Sequence, residues 1–240
     1  GNDMNLSQAE KDRLLNFIGY GSLQAPIWFL GMEEGTGGSR DPEAIETNIR
    51  TRARHFQPVD DLVETHQHWD YDIPSQRKFT QVWLWMAKLT RGTQGAADWP
   101  DTENAKHYVR ESLGRQDGDT LLTELLPLPS PSMNFWPYET LYPTRADYLN
   151  AVLPARQRTL RMLIQKYQPR CVIAYGSQYH RYYKALFASA EWHRLPTKKA
   201  IEHCRFGHSL VVLMPFFGNG GLSTHDARTV IDVSRAHCPG

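Results

Sequence analysis

The chain is poor in several features that would place it quickly, and each shortage excludes something. It has 3 cysteines in 240 residues, Cys171, Cys204 and Cys238. An odd number with no Cys-x-x-Cys spacing argues against a disulfide framework, a zinc ribbon or an iron–sulfur cluster, and points to a reducing compartment. No apolar run approaches the ~20 residues that a membrane-spanning helix needs. The N-terminus lacks a basic-then-apolar signal pattern, so a soluble, cytoplasmic protein without membrane contact is expected. Gly1 stands where a start methionine would and is left out of the fold reasoning. Net charge is almost absent, with 27 Lys+Arg against 26 Asp+Glu for a formal +1. Such a balance neither demands a polyanionic partner nor repels one, although a local basic groove remains compatible with it. Internal repeats, low-complexity tracts and linkers are also missing, so residues 1–240 read as one domain.

What is present is a core and a suggestive loop. Hydrophobic residues make up 40% of the chain, with 7 Trp and 11 Tyr, ample for a packed interior. The stretch Pro26-Ile27-Trp28-Phe29-Leu30-Gly31-Met32-Glu33-Glu34-Gly35-Thr36-Gly37-Gly38 begins as a buried strand and breaks into glycines with two adjacent acids at the break. In open α/β sheets ligands bind at the carboxyl ends of strands, so this segment offers a core strand and a candidate site together.

Ser7-Gln8-Ala9-Glu10 has capping-box form and predicts a helix over 7–20, closed by Gly21. Asp41-Pro42 starts a second helix reaching His55, whose end carries Arg50, Arg52, Arg54 and His55. That cluster reads either as a solvated helix end or as a phosphate-contacting group beside the glycine loop. Residues 57–74 read as irregular. Helices are expected over 75–89, 101–113, 144–167 (bent near Pro154), 178–188 and from Ser223 to about 236. Strands are expected over 120–126, 170–175 and 209–214, with one irregular strand inside 192–206. The loop 127–143 is long for a connection and rich in proline and aromatics, which suggests a functional loop or a packed cover. Strands alternating with helices imply a three-layer α/β/α fold around a central, mainly parallel four-stranded sheet.

In order and spacing these segments resemble the uracil-DNA glycosylase superfamily over some 200 residues. The loop Gly31-Met32-Glu33-Glu34-Gly35 matches the family's Gly-x-x-x-Gly/Tyr catalytic loop. Glu124 stands where the family carries a base-reading residue ahead of a Pro-Leu turn, here Pro127-Leu128. Pro169-Arg170-Cys171-Val172-Ile173-Ala174-Tyr175-Gly176 matches a strand–Gly–helix unit, and 215–223 the loop that enters the DNA minor groove. The resemblance implies cleavage of an N-glycosidic bond in a flipped nucleotide through an oxocarbenium-like sugar. It implies Glu33, with Glu34 and Asn219, as catalytic groups, and Met32, Glu124, Phe135, Trp136 and Phe217 around the base, with Tyr71 a reserve for stacking. It implies DNA contacts from Gly35, Gly37, Arg50, Arg52, Arg77, Ser177, Gly218, Gly220, Leu222 and His225, Leu222 acting as a wedge; Arg181 is a further phosphate candidate. No metal or cofactor is implied, DNA is the expected partner, and a monomer is expected.

Two departures stand out. Uracil readers use Asn, whose amide both donates and accepts, whereas an ionised Glu124 would only accept. That favours an amino-bearing or modified base over plain uracil. The family's His-Pro-Ser-Pro is replaced by Pro215-Phe216-Phe217-Gly218-Asn219-Gly220. Glu124 also reads as a structural acid paired to an arginine beneath the sheet end. Rival functions are a catalytically inactive nucleic-acid- or nucleotide-binding member of the same fold, and a metal-dependent hydrolase using His66 and His68 with Asp70 and Asp72. Whether Glu33 and Glu124 face one pocket separates enzyme from binding module. Walker A and clean GxGxxG sequences are absent, so nucleotide hydrolysis and dinucleotide binding have little support.

Overall fold

The computed structural model describes residues 4–237 apart from Gly38 and Met133; Cys238 and Gly38 lie outside the described residues. The Ser7 capping box forms as expected and starts α1 (Gln8–Leu15), which ends earlier than predicted. Its successors are β1 (Gly19–Gly21), β2 (Ile27–Glu33), α2 (Pro42–His55), β3 (Val59–Asp60), α3 (Leu62–Gln67), α4 (Gln81–Thr93) and α5 (Thr102–Glu111). Then come β4 (Thr120–Leu126), α6 (Arg145–Tyr167), β5 (Cys171–Tyr175), α7 (His180–Lys184), β6 (His193–Arg194), β7 (Glu202–Phe206), β8 (Ser209–Met214) and α8 (Thr224–His237).

All strands join one mixed sheet of eight in the order β3-β1-β4-β2-β5-β8-β7-β6. The expected four-stranded sheet is therefore only its centre: β4, β2, β5 and β8 run parallel. The sheet is widened on one side by β1, antiparallel to β4, with β3 beside it. On the other side the antiparallel β7 and β6 extend it. Sequence pattern under-counts these outer strands because β1, β3 and β6 are two or three residues long and carry no periodicity.

The central strands are apolar on both faces, as a sheet covered by helices requires. Phe29, Leu122, Ile173 and Val212 bury one face with α4, α5 and α8, through residues such as Met86, Val109 and Ile231. Trp28, Leu30, Leu121, Val172 and Leu213 bury the other with α2 and α6, through Ile49, Leu160 and Ile164. The α6 helix runs on through Pro154 without interruption of its span. Among the described residues no helix is long and apolar enough to cross a membrane.

The segment read as irregular from 57 contains α3. Its N-cap Asp61 accepts from the backbone N–H groups of Val63 and Glu64. The loop before β7 is held by Asp226 in the first turn of α8, whose fully buried carboxylate accepts both Lys198 N–H and Lys199 N–H at 3.0 Å. Replacing it by alanine would strand two backbone donors, each bonded to a charged acceptor. We expect Asp226→Ala to cost about 3 kcal/mol, read as a lowered urea midpoint with unchanged slope. An unchanged midpoint would show that the loop does not depend on this clamp.

Candidate functional site

The carboxyl ends of the central strands open into a cavity of about 1020 Å³, at the upper end of the roughly 300–1,000 Å³ usual for small-molecule sites. From β2 the chain adds β4 on one side and later β5 on the other. The cavity lies at this reversal, where open α/β sheets bind ligands.

Three strands supply its floor by register alone. Gly31 of β2 pairs with Glu124 of β4, and the β2–β5 register puts Tyr175 on its other flank. In-register residues of parallel neighbours share a face, so acid, glycine and phenol form one row. The glycine is required there. A Cβ at Gly31 would lie 2.3 Å from Glu124 Oε2 and 2.7 Å from the Tyr175 hydroxyl. Glycine in a strand interior marks such a close approach. Behind Tyr175, Phe217 stacks at 4.6 Å between ring centroids.

Glu33, Glu34 and Glu124 all line the cavity. Two of them meet arginines. Arg145, the first residue of α6, donates from Nη2 to both Glu33 oxygens at 2.8 Å. Burial nevertheless outweighs Arg145 and raises the Glu33 carboxyl above its ordinary range. Glu34 accepts from the Tyr20 hydroxyl at 2.8 Å and lies 2.9 Å from Arg52 Nη1. Burial pushes the Glu34 carboxyl up, but Arg52 and Tyr20 together hold it below the ordinary range. The Glu34 side chain keeps 24% of its surface, and that surface faces the cavity.

Glu124 has no such partner. Its Oε2 is enclosed and makes no hydrogen bond. Burial first, then the nearby Glu34 and Glu33 charges, push its carboxyl well above the ordinary carboxylate range. An arginine does lie beneath the sheet end, but Arg156 donates to the Glu124 backbone carbonyl from Nε at 3.1 Å and Nη2 at 2.9 Å, and to the Ile18 carbonyl at 3.2 Å. It clamps β4 rather than neutralising the side chain, and burial lowers its own pKa to about 10. The ionised Glu124 on which an amino-bearing base was expected is thus not the form its surroundings favour. A neutral carboxyl donates and accepts, as an amide does.

Aromatic rings complete the walls: Tyr20, Tyr71, Trp83, Tyr179 and Phe216, with His66 among them. Phe216 is an exposed large apolar side chain, 48% accessible, at the cavity's edge.

Of the sequence-predicted residues, Met32, Glu33, Glu34, Gly35, Gly37, Glu124, Ser177 and Gly218 line the cavity, as does the reserve Tyr71. Others do not belong to it. Phe135 and Trp136 pack on the opposite side of the sheet; Trp136 lies between Tyr138 and Tyr148, with its indole N–H on the Tyr142 carbonyl. The long loop there is mainly a packed cover, though Pro127 and Ser130 to Ser132 reach the cavity. Leu222 is buried in the core at 4% exposure and cannot wedge outward. Phe217 is fully buried behind Tyr175. Asn219, Gly220 and His225 are exposed and do not line the cavity. The helix-end arginines are largely spent on carboxylates: Arg52 is 2% exposed and faces Glu34, Arg50 meets Glu46, and Arg54 meets Glu10. Arg77 and Arg181 are exposed, and Arg181 donates to the Tyr182 hydroxyl.

His66 and His68 point apart, His68 stacking on His55 at 4.8 Å. Among the described residues no group of three His, Cys, Asp or Glu is placed to hold a metal. Cys171 and Cys204 are buried, with the Cys171 sulfur 3.9 Å from the Ser234 hydroxyl.

Tyr175, Tyr20, Arg145 and Arg156 are not among the residues expected at the site, and His66 was expected only as a metal ligand. For Tyr175 a signal existed: it is the last residue of an apolar strand, directly before a glycine. For the arginines there was none, since their partners lie 112 and 32 positions away in the chain.

No family model matches this chain, and no curated protein matches it significantly. The likeness to the uracil-DNA glycosylase superfamily therefore rests on the residues quoted above.

The raised Glu124 carboxyl has a measurable consequence. A carboxyl whose folded pKa is raised favours the fold fully below its unfolded value, and that contribution is lost as pH rises toward the folded value. Glu124→Gln removes this dependence. From the ordinary value of 4.5 upward, wild type should lose stability relative to the variant, by up to about 1.4 kcal/mol per pH unit. Parallel stability–pH curves from denaturant titrations would contradict a neutral Glu124.

Proposed function

We propose that the cavity binds a nucleobase flipped out of a DNA strand and hydrolyses its N-glycosidic bond. The observation that supports this reading is that Glu33 and Glu124 line one aromatic-walled cavity at the carboxyl ends of β2 and β4. A base is flat and carries adjacent donors and acceptors on its edge. Aromatic walls suit its faces, and a neutral carboxyl suits its edge. Glu124 can donate to a carbonyl and accept from a ring N–H, the pattern of a uracil edge, or take the complementary pattern of cytosine. The base is therefore defined as a pyrimidine-like edge rather than by an exocyclic amino group.

Glu33 serves the sugar. Its carboxylate, oriented by Arg145, supplies negative charge where an oxocarbenium-like cation develops. Glu34 has a supporting role, since Tyr20 and Arg52 occupy it.

One observation favours a second reading, a binding site for a free nucleoside or nucleotide that is not cleaved. Of the arginines proposed for phosphate contact at the end of α2, Arg50, Arg52 and Arg54 pair with carboxylates of the chain itself, and Arg145 holds both Glu33 oxygens.

The test is base release from single- and double-stranded DNAs carrying uracil, modified pyrimidines and alkylated purines, alongside calorimetric binding of free nucleosides. Wild type should release a pyrimidine. Glu33→Gln keeps shape and removes charge, so turnover should fall by about 10²-fold or more while base binding survives. Equal turnover by both proteins removes Glu33 from the mechanism. Nucleoside binding without release from any DNA selects the second reading.

A further inference from the structure

We infer that His66 is the proton acceptor of this cavity, its Nε2 passing a proton between the attacking water and the nitrogen of the departing base. The inference deepens the hydrolytic reading and rests on it for the water step.

His66 reaches the cavity from α3. Its Nδ1 lies 2.8 Å from the Leu62 carbonyl oxygen, one helical turn back. A carbonyl can only accept, so Nδ1 carries the hydrogen and the neutral ring keeps its lone pair on Nε2. That atom has no hydrogen-bond partner among the described residues, yet it is not among the sealed polar atoms. The ring is fixed on its other sides. Trp69 and Trp83 meet it edge-on at 5.2 and 5.5 Å, and Tyr20 and Tyr71 lie at 5.8 and 6.0 Å. A backbone bond that sets the tautomer, an aromatic cage that sets the orientation and an unclaimed lone pair on a cavity wall make a base ready for use.

The charged and titratable groups around it are Glu34 at the end of β2, Arg52 from α2, Tyr20 from β1 and Tyr71 beyond α3. Burial is the largest influence and lowers the imidazole pKa below 6.5; Glu34 opposes this and Arg52 adds to it. At neutral pH the ring is therefore uncharged.

In the reaction a water O–H bond breaks as the oxygen bonds to C1′ of the sugar, and the proton moves to Nε2. The C1′–N bond breaks with its electron pair passing to the base. The imidazolium then returns the proton to that nitrogen, so the ring ends as it began. No oxidant or further reactant enters.

The test begins with nitrogen-resolved NMR of the wild-type histidines across pH, with and without free uracil, cytosine and adenine. His66 should appear as the Nδ1–H tautomer at neutral pH, titrate below 6.5, and shift at Nε2 when a base is added. An Nε2–H tautomer, or an Nε2 signal indifferent to all three bases, overturns the inference whether or not any variant folds. With a cleavable DNA, wild-type kcat should fall as pH drops through the His66 titration. In His66→Gln the limb that coincides with the His66 titration should vanish, leaving only the limb of the Glu33 carboxylate, with kcat lowered about 10²- to 10⁴-fold and KM little changed. A limb persisting in the variant at the pH of the wild-type His66 titration also overturns it. If no DNA is cleaved but Nε2 responds to a base, the hydrolytic reading fails and His66 stands as the acceptor of the bound base.

Discussion

Three glutamates share one cavity, and they cannot all be bare anions. Like charges at close quarters and low local dielectric cost several kcal/mol unless each is matched or neutralised. The fold meets this constraint in two ways. Arg145 and Arg52, from the first residue of α6 and the last turn of α2, answer Glu33 and Glu34. Glu124 has no cation on its carboxyl, and burial with the nearby Glu34 and Glu33 charges pushes it well above the ordinary carboxylate range. Much of the surrounding architecture follows from this division. The buried Arg52 is held over Phe56 and Trp69 and bonded to Asn48. Tyr20 on the short strand β1 completes the Glu34 pair, and Gly31 leaves room for the Glu124 carboxyl.

The division also gives the site its chemistry. In the proposed reaction one acid is a neutral reader able to donate and accept, one an oriented anion, and the third part of the frame. Beside them stands a histidine with its tautomer fixed by a backbone carbonyl. Environments that push titratable groups apart are a common basis of acid–base sites, although structural ion pairs perturb such groups as well. Glu34, paired with Arg52 and Tyr20, illustrates the structural case.

The central frame was legible from the chain. The runs Ile27–Leu30, Thr120–Leu126, Cys171–Tyr175 and Ser209–Met214 are apolar enough to declare buried parallel strands. The Ser7 and Asp41 caps announced their helices through local hydrogen-bond chemistry. Glu33 and Glu34 drew attention because strand ends focus sites, and Glu124 through the resemblance. What stayed hidden depended on contacts distant in sequence. The two-residue strands β3 and β6 are too short to show a period. Leu222 was expected as a wedge because loop 215–223 resembles a minor-groove loop, whereas tertiary packing draws it into the core. Trp136 and Phe135 looked like base stackers because they sit in a long aromatic loop, and that loop folds over the far side of the sheet. Most tellingly, the charge state of Glu124 follows from burial beside two other acids, which only the assembled sheet reveals.

That charge state can be observed without any substrate. Infrared spectroscopy of wild type and Glu124→Gln at neutral pH reads the carbonyl stretch of a protonated carboxylic acid directly. The account predicts such a band in wild type, absent from the variant and displaced when a base occupies the cavity. A wild-type spectrum with only carboxylate bands would mean that Glu124 is ionised, and would contradict the division of the three acids from which the site has been derived.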